Sequence, residues 1–350
     1  MRIGISVAYR PWIEPDEQVA LGKLADQLGL DSVWVAESYG QDVTAMLGAI
    51  ASVTERIRVG SAIMQIPARQ PTTTAMAAAT LDTLTHGRFM LGLGLSGPQV
   101  SEGWYGVPFT NPLSRTREYI EIVRETLSRK PVEYNGKHWT LPLRDGGIGQ
   151  GKPIRMVGGT VQSHIPIYLG VGGPQTVEQA GRIADGWLPF LYDPADAAGL
   201  MNSLMAGLAK SGRRREAIAV TPVVPTAVEE DLDAARDALR PILAMYLGGM
   251  GSREKNFYVD VADRYGHGAA ARVCQDHFLG GDRRAAEACL TNELIDTFCI
   301  AATPATLDTR LAAFADAGVD ELVVTPFGNR IGLLHALAAA FDRQPAGARS

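Results

Sequence analysis

The chain has 350 residues, 46% hydrophobic and 20% charged, the make-up of a folded protein with a large core. A net charge of −5 offers no basic face for nucleic acid or an anionic membrane. The three cysteines, Cys274, Cys289 and Cys299, show no CxxC spacing, which argues against a disulfide framework or a zinc site. No run reaches the roughly 18 apolar residues of a membrane span, and Met1 to Val7 lead straight into a strand without a signal-peptide pattern. A cytoplasmic location is expected.

Residues 2–8 read as a first buried strand, followed by a helix from about Asp16 to Leu28 that Gly29 ends. Strand two is Val33–Ala36, and a helix takes 43–53. Strand three is Ile57–Ile63, with a loop ending at Pro71 and an alanine-rich helix from Thr72 to Leu84. Strand four opens the stretch GRFMLGLGLSGPQVSEGWYG (87–106), where Phe89, Met90, Leu91, Leu93 and Leu95 form a buried run. Gly92 and Gly94 interrupt that run, which marks a bulge or a close approach to the backbone. A helix from Ser114 to Arg129 completes four strand–helix units. Residues 132–140 alternate like a hairpin inside an insertion, 131–163, after which Ile165–Gly170, a helix 177–184, strand 185–190 and a helix 194–210 resume the rhythm. Strand seven spans 217–227, a long irregular helical tract runs from Asp231 to Asp296, a helix starts at Thr303, and Asp320–Pro326 is the last strand. The final residues, QPAGARS, read as a frayed tail.

Eight strand slots separated by helices, with no GxGxxG in the first unit, predict a (β/α)8 barrel rather than a doubly wound sheet. It forms one domain over 1–345, with insertions near 131–163 and 228–302. The loops leaving the strands then build the active face: Tyr9 and Trp12, Glu37 and Ser38, Ala62–Gln65, Ser96–Tyr105, Gly172–Thr176, and Trp187–Tyr192. Gly172-Gly173-Pro174 precedes a helix, where free N–H groups attract an anion, and Ser96-Gly97 is a second such loop. Together they suggest a phosphorylated cofactor. The histidines share no metal-ligand spacing, and GxSxG, HExxH and P-loop motifs are missing, so no metal is expected.

VWVAESYG (33–40), VGSAIMQIPARQP (59–71), TLDTLTHGRFMLGLGLSGPQVSEGWYGVPF (80–109), PLSRTREYIEIVR (112–124), GVGGPQTVEQAGRIADGWLP (170–189), MYLGGMG (245–251) and GVDELVVTP (318–326) resemble the luciferase-like monooxygenase superfamily. The likeness is greatest to its actinobacterial branch that uses the deazaflavin coenzyme F420. The resemblance implies a bacterial-luciferase-like TIM barrel with a non-prolyl cis peptide at Ala62-Ile63 behind the deazaflavin ring. It also implies cofactor contacts at Ala62, Ile63, Ser96, Gly97 and Gly172, Gly173, Pro174, Gln175, Thr176. Arg69 would position the strand-three loop or meet the coenzyme's acidic tail. Relatives that oxidise glucose 6-phosphate carry histidine where this chain has Ser38 and glutamate where it has Gly97, which argues against alcohol oxidation. The expected activity is reduction of an activated C=C or C=N bond by hydride from reduced F420, with Tyr9, Ser38, Glu37 or water giving the proton. The alternative is an FMN-dependent monooxygenase using O2. Trp12, Trp104, Tyr105, Trp187, Phe190 and Tyr192 would line the pocket of a small-molecule substrate. A homodimer through helices two and three is expected, with no nucleic-acid or membrane partner.

Overall fold

The computed structural model describes residues 1–342; the expected tail, 344–350, lies outside the described residues. Parallel strands alternate with helices: β1 (Arg2–Val7), α1 (Pro15–Gln27), β2 (Ser32–Val35), α2 (Val43–Ala51), β3 (Arg58–Ser61), α3 (Pro71–Leu84), β4 (Phe89–Gly94) and α4 (Pro112–Leu127). Then come β5 (Ile167–Leu169), α5 (Pro174–Ile183), β6 (Gly186–Trp187), α6 (Ala198–Lys210), β7 (Ala219–Val220, continued as Val223–Val228), α7 (Leu307–Asp316), β8 (Glu321–Pro326) and α8 (Arg330–Asp342). The barrel closes because β1 pairs with both β2 and β8, so that Ile5 lies opposite Val33 on one side and Val324 on the other. At the far side, the first part of β7 pairs with β6 and its second part with β8. The fold is the expected α/β barrel.

Local chemistry sets the boundaries. Among α1–α8, four begin at a proline (Pro15, Pro71, Pro112, Pro174), one to three residues before the predicted starts. Proline suits a first helical position, where its missing N–H is not needed. Gly29, at φ +77°, ends α1 as expected, with Leu30 N–H returning to Ala25 carbonyl (3.0 Å).

The core has two layers. Residues such as Ile5, Val33, Val59, Leu91 and Ile167 pack outward against the helices. Inside, Trp34, Met90, Tyr168, Leu188 and Val323 form a separate cluster that fills the barrel. Room for those rings comes from glycine: a Cβ at Gly60 would run into the Trp34 ring, and one at Gly186 into Tyr168.

The irregular tract after β7 resolves into helices Leu232–Ala244, Phe257–Arg264, Gly268–Leu279, Arg283–Ala288 and Asn292–Phe298. A π-turn, Met245–Gly249, follows the first of these. The tract ends in an unforeseen strand, Ile300–Ala302, which pairs with the end of β7. The earlier insertion holds the expected hairpin, reduced to Tyr134–Asn135 and Thr140–Leu141. Among the described residues, no helix is long and apolar enough to cross a membrane.

Candidate active site

Beyond β3 the chain breaks at Ala62-Ile63, whose peptide bond is cis as the resemblance implied, and rejoins the sheet at Met64–Gln65 against the end of β4. The Ile63 side chain fills the space left by two glycines. A methyl group added at Gly94 would come within 2.9 Å of Ile63 Cδ1, and one at Gly170 within 2.6 Å of its Cγ2. At Gly92 a Cβ would collide with the Ser61 carbonyl. The close approach that the strand-four glycines signalled is thus the bulge of β3.

The bulge forms one wall of a cavity of about 400 Å³ at the C-terminal end of the barrel. This wall, built by the loops after β2 to β5, includes Ala36–Tyr39, Ala62, Ile63, Gln65, Gly94–Val100, Gly170–Gly172 and Thr176. The opposite wall comes from β1, β6, β7, β8 and the tract after β7: Tyr9, Trp12, Leu188, Phe190, Val223, Pro225, Ile242, Tyr246, Tyr258, Thr325 and Phe327. One wall is rich in glycine, the other in rings.

On the glycine wall, Glu37 leaves β2 with its carboxylate almost fully buried. Arg69 grips it with both arms, Nη1 to Oε2 at 2.8 Å and Nη2 to Oε1 at 2.6 Å, and Gln65 N–H adds a bond of 2.7 Å. Burial opposes the Arg69 charge, but Glu37 overcomes it and holds the guanidinium pKa above its ordinary value. Both oxygens of Glu37 are engaged, so it anchors the bulge and has no free oxygen for a reacting atom. Arg69 reaches the site only through Glu37. The Gln65 amide nitrogen reaches the Glu37 carbonyl (3.4 Å) and the Ser96 hydroxyl (3.3 Å), while its Oε1 is buried and accepts no hydrogen bond. An orphaned acceptor beside the bulge fits the N–H-bearing edge of a flat ring.

On the ring wall, the Tyr9 hydroxyl lies beside the side chains of Tyr246 and Ser38. Burial pushes the Tyr9 pKa up, outweighing these neighbours, which lower it, and pushes Tyr246 well above its ordinary value. Both hydroxyls keep their protons at neutral pH. Tyr9 lines the cavity, so its O–H can donate to an occupant.

Several expected lining residues lie elsewhere. Gly173 is the N-cap of α5, and Pro174 and Gln175 form its first turn, so of this loop only Gly172 and Thr176 face the cavity. Residues Pro98–Gly103 form a helical turn that carries Trp104 outward, 63% exposed, against the Tyr39 ring, and leaves Tyr105 off the cavity. Trp187 and Tyr192 are core. The two-residue period of a strand sends Leu188 and Phe190 inward and Trp187 outward, where its indole donates to Val171 carbonyl (2.8 Å) and meets Tyr192 edge-on. Tyr246, Phe257 and Tyr258 were missed. Tyr246 lies in MYLGGMG, matched above only as a resemblance, and Phe257 and Tyr258 lie farther along a tract with no regular period. The π-turn that presents Tyr246 is a feature frequent at functional sites.

This barrel, with a bulged third strand and a cavity at its C-terminal face, is that of the luciferase-like monooxygenases. The chain matches that family over residues 1–321 and belongs to it. It is 40% identical over 330 residues to a Mycobacterium tuberculosis protein provisionally named a coenzyme F420-dependent oxidoreductase, covering 93% of this chain and 95% of that one. It is 30% identical over 313 residues to the 5,10-methylenetetrahydromethanopterin reductase of Archaeoglobus fulgidus, with 87% and 88% coverage. The structure of the coenzyme F420-dependent tetrahydromethanopterin reductase from Methanopyrus kandleri matches with a TM-score of 0.82 over 97% of this chain and 98% of that one. At 24% identity this is a likeness of fold.

Proposed function

We infer that this chain is an F420-dependent oxidoreductase that reduces an activated C=C or C=N bond of a small organic molecule. The observation that carries the reading is the divided cavity. An orphaned acceptor and glycine loops lie on one wall, and a protonated hydroxyl, Tyr9, faces them from the other. The name of the M. tuberculosis relative supports F420 as the coenzyme.

Gln65, Ser96, Gly97, Gly172 and Thr176 would hold the coenzyme, with the Ala62–Ile63 bulge behind its ring. Bound in reduced form, F420 supplies a hydride to one end of the acceptor's double bond. The chain's own task is the proton for the other end. Tyr9 would give it, with Ser38 and Tyr246 beside its hydroxyl. Neither Ser38 nor Gly97 offers the base that alcohol oxidation requires.

Anaerobic titration with oxidised F420 and, separately, with FMN, following cofactor fluorescence, tests the reading. Preferential binding of F420 is expected. Preference for FMN, or binding of neither, overturns it.

The same reading includes a homodimer through α2 and α3. It is supported by Met76 and Leu84, each 52% exposed on α3. Light scattering after gel filtration should give twice the mass of one chain, falling to one chain with Met76→Glu. A wild-type monomer would remove the dimer from the reading.

A further inference from the structure

The ring wall specifies what kind of molecule it accepts. Phe190 lies 4.5 Å from Tyr246 and 5.9 Å from Tyr258, and those two tyrosines meet edge-on at 4.8 Å. Trp12 stands edge-on to Phe327 at 6.1 Å. These rings pack on one another and present an apolar, aromatic face to the cavity.

Charge is nearly missing from this half. The ionisable acids and bases lining the cavity are Glu37, Lys255 and Asp260. Glu37 is neutralised by Arg69. Lys255 belongs to the rim, where its carbonyl accepts from Gln99 on the glycine wall (3.1 Å). Asp260 follows Phe257, which packs on Gly172. Among the described residues, the cation lining the cavity is Lys255, which is exposed, whereas the ring residues carry no charge, and burying an unpaired charge among them is costly.

Hydrogen-bond donors, however, are in surplus. Tyr9 lines the cavity with its hydroxyl beside Ser38 and Tyr246, and Trp12, also lining it, has a buried Nε1 donor without a partner. An indole N–H can only donate. Two donors among uncharged rings call for a neutral oxygen acceptor.

We propose that the substrate is a neutral, flat, conjugated carbonyl compound, its oxygen held by the Tyr9 hydroxyl and Trp12 N–H and its ring against Phe190 and Tyr246. This rests on the F420 reading for the redox step. The β-carbon of C=C–C=O gains the hydride, the C=C π pair moves to the adjacent bond, and the carbonyl π pair moves onto oxygen. That oxygen takes the Tyr9 proton, giving an enol that tautomerises with solvent to the saturated carbonyl compound. Tyr9 regains a proton from solvent through Ser38 or Tyr246. One double bond is reduced by two electrons and the coenzyme is oxidised by two. Tyr246 is a positioning residue, since it acts through Tyr9.

Calorimetric titration of the protein loaded with oxidised F420 tests this with three matched probes. They are 4-phenylbut-3-en-2-one (neutral ketone), cinnamate (anion of similar shape) and 1-phenylbut-1-ene (no oxygen). The ketone should bind about tenfold or more tighter than cinnamate. Tyr9→Phe and Trp12→Phe should each narrow the gap between ketone and hydrocarbon by about three- to tenfold, the worth of one hydrogen bond. Tyr246→Phe should narrow it less, and should shift the Cζ resonance of 13C-labelled Tyr9. Equal or tighter binding of cinnamate, or a gap unmoved by both Tyr9→Phe and Trp12→Phe, overturns the proposal. If F420 itself fails to bind, the oxidoreductase reading falls, and the same probes on the cofactor-free protein still decide the substrate class.

Discussion

Glu37 and Arg69 are separated by 32 positions and brought together by adjacent strands. Each was singled out from the sequence, Glu37 as a candidate acid and Arg69 as a loop or coenzyme contact, yet neither residue announces the other. The structure joins them in a two-armed ion pair with side chains 3% and 12% exposed. Removing one partner of a buried pair leaves an unpaired charge and costs about 3–5 kcal/mol. Arg69→Leu should therefore lower unfolding free energy in urea by about that amount, and Arg69→Lys by less, since it keeps the charge without the fork. A loss below about 1 kcal/mol, the range of surface pairs, would show that Arg69 is not an anchor. The partnership of Tyr9 with Tyr246 was illegible for the same reason. A hydroxyl 237 positions away leaves no trace in local spacing.

Asp26 shows how one side chain joins elements. At the end of α1 it accepts the backbone N–H groups of Glu55 (3.0 Å), Arg56 (2.9 Å) and Ile57 (2.7 Å), which fixes the entry to β3. Burial works to raise its carboxyl pKa, but these bonds outweigh it and hold the group below its ordinary 3.8. A carboxyl depressed in the folded state adds stability above its unfolded pKa and loses it as pH falls through the folded one. Asp26→Asn should cost about 1–3 kcal/mol at pH 7, and the gap from wild type should close as pH drops below 3.8. A gap unchanged down to pH 2, measured by thermal melts, would mean the charge contributes nothing. At this scale the strand–helix alternation was legible because buried parallel strands are continuous apolar runs and α1 and α4 are amphipathic. Helix α8 was not. Its sequence, RIGLLHALAAAFD, is apolar on nearly every face and offers no period to read. The strand Ile300–Ala302 is too short to stand out at the end of a helical tract.

For the molecule as a whole, the barrel interior is filled by Trp34, Met90, Tyr168, Leu188 and Val323, which give the cavity a floor. The seat of the glycine wall depends on Ile63 lodging between Gly94 and Gly170. Gly170→Ala would force Ile63 to move, and should weaken F420 binding about tenfold or more. Adding Ile63→Ala should recover stability by relieving the overlap. Full affinity in Gly170→Ala alone, read by fluorescence titration, would show that the bulge has slack. The barrel and the loops after its strands were legible because eight units repeat. The division of the cavity was not, because part of its ring wall comes from a tract whose fold depends on packing against loops far away in sequence.

That division has a consequence for how such enzymes diversify. Tyr246, Met250, Phe257 and Tyr258 arrive on one contiguous stretch, fastened to the rest by Gln99 to Lys255 carbonyl, Arg264 to Gly172 carbonyl and Tyr39 to Met250 sulfur. Exchange within that stretch could give the barrel a new diet, provided that its bonds to Gln99 and Gly172 on the coenzyme wall were kept. A lineage could then acquire new reactions by swapping a cassette of fewer than about 20 residues, without reinventing the hydride chemistry.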